Sequence, residues 1–222
     1  MTNQGNPVTP DLPSAENTKV LGYHPILATR ADTGEILHAR LRKGSANTQR
    51  GTKRFVEELV ARLRRAGATG KIIIRFDSGY WNNDTLKAVQ RLGVSFTMAV
   101  RTGTKAVDAA ISKIDESTWV AIEYPAGGEA MVAECTYKRR RLIVRRTRLR
   151  GPQATLWPNW RHFAFLSDLE GTAIELDAFH RATPSSSCAS TTGRRGRAWS
   201  TALQVTSGPT RRGCAVLSWP TT

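Results

Sequence analysis

The chain has 222 residues, with 33 Lys and Arg against 18 Asp and Glu and a formal charge of +15. That balance argues against a small-metabolite enzyme and for a polyanionic partner, with nucleic acid as the first candidate. No apolar run approaches the ~20 residues of a membrane span and no secretion signal opens the chain, so a cytoplasmic protein without membrane contact is expected.

Residues 1–18 are polar, with Pro7, Pro10 and Pro13, and are expected to be disordered. From Lys19, VLGYHPILA reads as a strand in which Pro25 marks an edge or bulge, and ADTGE reads as a turn into Ile36–Arg42. In that second strand of a hairpin, Ile36, His38, Arg40 and Arg42 share one face and Leu37, Ala39 and Leu41 the other. After a basic loop, Phe55, Val56, Leu59, Val60 and Leu63 form the apolar stripe of a helix from about Thr52 to Ala66, stopped by Gly67. Ile72 to Phe76 reads as a strand buried on both faces and ends at Asp77, where Ser78, Gly79 and Asn82 break it. Asn83 or Asp84 can cap a helix through Leu86, Val89 and Leu92, and Val94–Val100 is the next strand.

A helix over Lys105–Ile114 precedes three strands, Trp119–Tyr124, Glu129–Tyr137 and Arg141–Thr147, which read as an antiparallel insertion. Another strand follows at His162–Leu166. From Ala182 to Thr222 there is no Asp or Glu, and Ser, Thr, Arg and Gly dominate, so this stretch is not expected to pack. The expected organisation is a disordered segment (1–18), a partial core (19–118), a β insertion (119–160), a return to the core (161–181) and a disordered basic tail (182–222).

Asp77 stands where reactive groups of open α/β sheets sit, just beyond the carboxyl end of a strand. An aspartate there is equally a turn former or cap. The basic runs Arg40, Arg42 and Lys43, then Lys138, Arg139, Arg140 and Arg141, then Arg145, Arg146 and Arg148, read either as DNA-phosphate contacts or as a solvated face. Trp157 and Trp160 read as braces for an extruded base or as residues buried under the insertion. His24, His38, His162 and His180 are scattered, and His24 in YHP and His162 in RHF read as packed strand residues. Cys135, Cys188 and Cys214 imply neither a disulfide framework nor a zinc site.

The blocks GYHPILATRADTGEILHARLRKGSANTQRG, IIIRFDSGYWNNDTL, FTMAVRTGTK, ECTYKRRRLIVRRTR and WPNWRHFAFLSDL resemble, in order, those of DDE transposases of bacterial insertion sequences, in the 1380-type group. The resemblance implies an α/β ribonuclease-H-like mixed sheet with flanking helices and an antiparallel β insertion. It also implies Mg2+-dependent cutting and joining of DNA at terminal inverted repeats, by homo-oligomers, through three convergent carboxylates. Asp77 in RFDSG matches the second of these. The first belongs on a strand upstream of GYHP, where the chain offers only Asp11 in TPDLPSA; the third, a Glu on a helix after DAFHR, has no counterpart past Arg181.

The resemblance therefore implies a fragment truncated at both ends and inactive as this chain, with Asp77 as its one catalytic and metal-binding residue and a tail read out of frame. The alternative is a non-catalytic DNA-binding protein that represses transposition. A third possibility, an intact nuclease, would need Asp32, Glu35, Asp168 or Asp177 as stand-ins. The lost first strand would leave two open ladders at the centre of the sheet, so poor folding is expected unless the tail or another copy fills the gap.

Overall fold

The computed structural model describes residues 25–43, 46–124, 128–148, 160–182 and 202–207. In chain order the elements are β1 (Ile26–Arg30), β2 (Ile36–Arg40), α1 (Thr52–Arg65), β3 (Ile72–Phe76), α2 (Asn83–Arg91), β4 (Ser95–Val100) and α3 (Lys105–Ile111). Then come β5 (Val120–Ile122), β6 (Glu129–Tyr137), β7 (Arg140–Arg148), β8 (Arg161–Ser167), α4 (Ala173–Arg181) and β9 (Ala202–Ser207). All these strands join one mixed sheet in the order β2-β1-β9-β3-β4-β8-β7-β6-β5. With helices on its faces and antiparallel strands β5 to β7 at one side, it has the expected ribonuclease-H-like α/β class.

The two faces of the sheet are covered unequally, and the run IIIRF explains how. Ile72, Ile74 and Phe76 point into the larger core under α1, α2 and α3, with Phe55, Leu59, Leu86, Val89 and Val107. Ile73 points the other way, into a small core with Val132, Ile143, Phe165, Leu169 and Leu176 of α4. Each such fully buried side chain contributes about 1.5–3 kcal/mol, so a strand apolar at successive positions is what this two-sided burial requires.

Helix ends follow local chemistry. All five residues of the α1 stripe are buried, and Gly67, at φ 91°, lets the chain turn off behind it. The cap of α2 is Asn82, one residue before the expected Asn83 or Asp84; its side-chain oxygen accepts from the Asp84 N–H at 2.8 Å. Helix α4 was not anticipated. Its signal is a reciprocal cap in which Thr172 Oγ1 accepts from Glu175 N–H at 3.2 Å and Glu175 accepts from Thr172 N–H at 2.8 Å.

The insertion continues the core sheet. β6 and β7 pair without a break from Glu129↔Arg148 to Tyr137↔Arg140, and β7 then pairs with β8, which pairs with β4. No helix of the described residues is long and apolar enough to cross a membrane.

The expectation that 182–222 stays unpacked is corrected at 202–207. There β9 lies between β1 and β3, parallel to β1 from Leu27↔Ala202 to Arg30↔Val205 and antiparallel to β3 from Ile72↔Ser207 to Arg75↔Gln204. Val205 is buried in the larger core, and its carbonyl accepts from Ala31 N–H at 2.9 Å. Two buried strand edges would otherwise leave their backbone groups unpaired at about 1–3 kcal/mol each. ALQVTS, alternating and partly β-branched, is competent to fill them. A strand placed just before β1 and joined to it by a short turn would run antiparallel to it; β9 fills the position with the opposite polarity. The readings made on residues 1–24, including His24, and on Trp157, Cys188 and Cys214 fall outside the described residues.

Candidate active site and nucleic-acid interface

β3 delivers Asp77 to the lip of the sheet in extended geometry, φ −73° and ψ 161°. Its Oδ1 accepts from the Ser78 N–H at 2.7 Å and caps the 3-10 turn Ser78–Tyr80, which fully buried Tyr80 anchors. So Asp77 does act as a cap, and its carboxylate is half-buried with the second oxygen left for another role.

What surrounds it decides whether a metal pair fits. Continuing the β3–β4 ladder by one residue and the β3–β9 ladder by two puts Ala99 and Ala202 level with Asp77, and alanine carries no oxygen donor on its side chain. The four stand-ins are engaged or placed elsewhere. Asp32 is paired with Arg30 at 2.7 Å in the β1–β2 turn, where Glu35 is exposed. Asp168 Oδ1 accepts from Phe96 N–H at 2.7 Å, near the start of β4 and away from the end level with Asp77; burial pushes its carboxyl up. Asp177, 2% exposed, is clamped by Arg145 at 3.3 Å and Arg181 at 2.7 Å. Among the described residues no three His, Cys, Asp or Glu side chains converge. A pair of magnesium ions about 3.5–4 Å apart needs several oxygen donors in near-octahedral array, and the donor set around Asp77 does not fit it.

Many of the cations proposed for DNA serve the fold instead. Arg40 pairs with Glu58 and lies over the Phe55 ring, while Arg42 Nη1 donates to the carbonyls of Asn47, Thr48 and Arg50 at 2.9–3.0 Å and staples the basic loop. Arg141 pairs with Glu134 through Nε at 2.8 Å. Arg145 holds Asp177 and stacks over Phe163. Arg146, only 7% exposed, is sandwiched between Trp119 at 4.2 Å and Trp160 at 4.5 Å, and donates both terminal nitrogens to Glu116 at 2.8 Å. That guanidinium holds the Glu116 carboxyl below the usual range. Arg148 takes the other approach to Trp160, at 4.7 Å, so the ring that might have braced a base already has two guanidinium groups against it.

Lys43, Lys138, Arg139 and Arg140 are left, with no carboxylate at ion-pair distance among the described residues. Lys138 and Arg139 form the β6–β7 turn and Arg140 opens β7. Lys138 and Arg139 have left-handed φ of 49° and 59°, as a two-residue hairpin of this twist requires, at positions where Asn and Gly are the unstrained choice. Lys138 Nζ sits 5.5 Å from the Trp81 ring and 5.4 Å from that of Tyr137. Trp81 closes the Asp77 loop, so the cationic turn rests against that loop; the sequence reading missed this link, whose signal was the tryptophan four residues after Asp77. Beside the turn, a cavity of about 470 Å3 is lined by Lys138, Arg139, Arg140, Gln90, Ser167 and Asp168.

The histidines within the described residues pack. His38 stacks on Phe55 at 4.5 Å and bonds Glu58; His162 lies beside Trp119. His180 stacks on Phe165 at 4.2 Å and bonds the Thr97 hydroxyl at 2.9 Å. Burial, with Arg75 and Arg145 nearby, pulls its pKa down to about 4.

The chain thus presents a ribonuclease-H-like sheet with an aspartate at the lip of its buried strand and a strained cationic turn packed against that aspartate's loop. Residues 16–160 match the family described as transposase DDE domain group 1, and the chain belongs to that family. No curated protein matches the chain.

Proposed function

We propose that this chain is a DDE transposase domain of the insertion-sequence 1380-type group that retains Asp77 alone of the metal-binding carboxylates, and that it binds duplex DNA without cutting it. The observation that carries this reading is that no three His, Cys, Asp or Glu side chains converge among the described residues; the β3 ladders, continued to Asp77, put only Ala99 and Ala202 beside it. Intact members of the family cut and join DNA at terminal inverted repeats with Mg2+; one isolated carboxylate binds magnesium poorly. The exposed cations Lys43, Lys138 and Arg139, with half-buried Arg140 beside them, support contact with backbone phosphates. The same contrast, free cations without a carboxylate set, favours a second reading in which the chain occupies terminal-repeat ends in the cytoplasm and represses the intact enzyme, as a monomer or a homo-oligomer.

The acid-free composition from Ala182 onward supports an out-of-frame segment after a core of 19–118, an insertion of 119–160 and a return of 161–181. An adjacent reading frame encoding a Glu-bearing helix past the Arg181 codon is the expected finding. The functional test uses a terminal-repeat duplex and the full chain. Wild type and Asp77→Asn should bind it equally and neither should nick it in Mg2+; nicking by wild type that Asp77→Asn abolishes would overturn the proposal. Replacing Lys138, Arg139 and Arg140 together with Ala should flatten the plot of log affinity against log salt by about 2–3, close to one for each phosphate no longer neutralised.

A further inference from the structure

β9 reaches its place across nineteen residues, 183–201. The near end of that tether is fixed: Arg75 Nη1 donates to the carbonyls of His180 and Ala182, both at 2.7 Å. The far end is close by, because the ladder partner of Arg75 is Gln204. Nineteen residues can extend to about 65 Å, several times what the connection requires. Nothing in the covalent geometry obliges β9 to occupy the slot of its own chain.

The slot itself is undemanding. β9 is parallel to β1 and antiparallel to β3, so β1 and β3 run in opposite directions. Any occupant, whichever way it runs, then makes one parallel and one antiparallel ladder. Backbone pairing does not select polarity here, which explains how a strand of reversed direction seats in it. Of the β9 side chains, Val205 enters the larger core.

We propose that the slot between β1 and β3 is a strand-exchange site through which two copies of this chain associate, each seating its β9 in the other. This stands apart from the DNA reading. The ladders are the same in cis and in trans, so the balance is set by the tether's effective concentration, on the order of mM. The chain is monomeric when dilute and exchanges as its concentration approaches that value. Leaving a two-sided central position requires opening both ladders, so exchange takes place chiefly during refolding.

The test uses full-length chains with Cys135, Cys188 and Cys214 replaced by Ser. One copy carries Ala28→Cys and one tag, the other Leu203→Cys and a second tag. Ala28 and Leu203 are ladder partners, and neighbouring strands about 4.8 Å apart bring such a pair within disulfide reach. The two are unfolded together, refolded at about 1 mM or about 1 µM, and oxidised. A mixed-tag disulfide dimer should be a major product at the higher concentration and fall at least tenfold at the lower. No mixed dimer at either concentration, or a yield that does not change, overturns the proposal. A single chain carrying both A28C and L203C should close its own disulfide when dilute; failure to close removes β9 from the slot, and the proposal with it.

Discussion

The two flanks of β3 are built on different terms. Towards β4 the partner is the next strand in the chain, delivered by a capped helix, and the sheet continues through β8, β7 and β6 with apolar residues on both faces. Towards β1 the partner comes from the far end of the chain, and the β1–β2 hairpin is joined to the rest of the sheet through it. One flank rests on several mutually consistent local signals. The other rests on two four-pair ladders, on Val205, Ile26 and Ala28 in the larger core, and on His38 and Arg40 against α1, so perturbations of β9 should separate them.

The largest separation is expected from Val205→Asp, which puts a carboxylate into the larger core and should cost about 3–5 kcal/mol. Hydrogen exchange should then lose protection over β1 and β2 while β4 and β8 keep theirs; uniform loss would mean the flanks do not act separately. Next in size is a pH effect on the β4–β8 side. His180 is held near 4, against 6.5 for an ordinary histidine. Between those values the unfolded chain binds a proton that the folded chain does not. Stability should therefore fall as pH drops from 6.5 towards 4, by up to about 3 kcal/mol, and His180→Phe should remove that slope in urea titrations.

Arg146→Ala should cost about 2 kcal/mol, through lost stacking on Trp119 and Trp160 as much as lost charge, and an Arg146→Lys chain should recover only part of it in chemical denaturation. The smallest effect is expected for Asn82→Ala, about 1 kcal/mol from the lost α2 cap, read as a shift in the urea midpoint without a change in slope.

How legible this was in the sequence follows the same division. The strand IIIRF, the α1 stripe and the long pair β6–β7 each announce themselves by period and length, and their boundaries fall within a residue or two of expectation. Helix α4 was readable from the reciprocal Thr172–Glu175 cap, but with nine residues it is too short to display a repeated apolar stripe. β9 was hidden because composition speaks for a whole segment, whereas pairing needs only six residues and two open edges. Asp77 stands at the end of β3, where the run IIIRF and the turn residues after it placed it. The cations were overcounted, because a sequence does not distinguish an arginine that faces a phosphate from one like Arg146 that faces two indoles and a carboxylate.

The position of β9 also sets a timetable. β3 ends at Phe76 and β9 begins at Ala202, so at about 5–20 residues per second the ribosome leaves the slot between β1 and β3 open for roughly 6–25 seconds. During that interval the nascent chain presents two bare strand edges to every neighbour, and the pairing that ends it has about the highest sequence separation in the molecule, the kind that forms slowly. Yield in the cell should therefore depend on translation speed and holding chaperones more than on the equilibrium strength of the finished sheet.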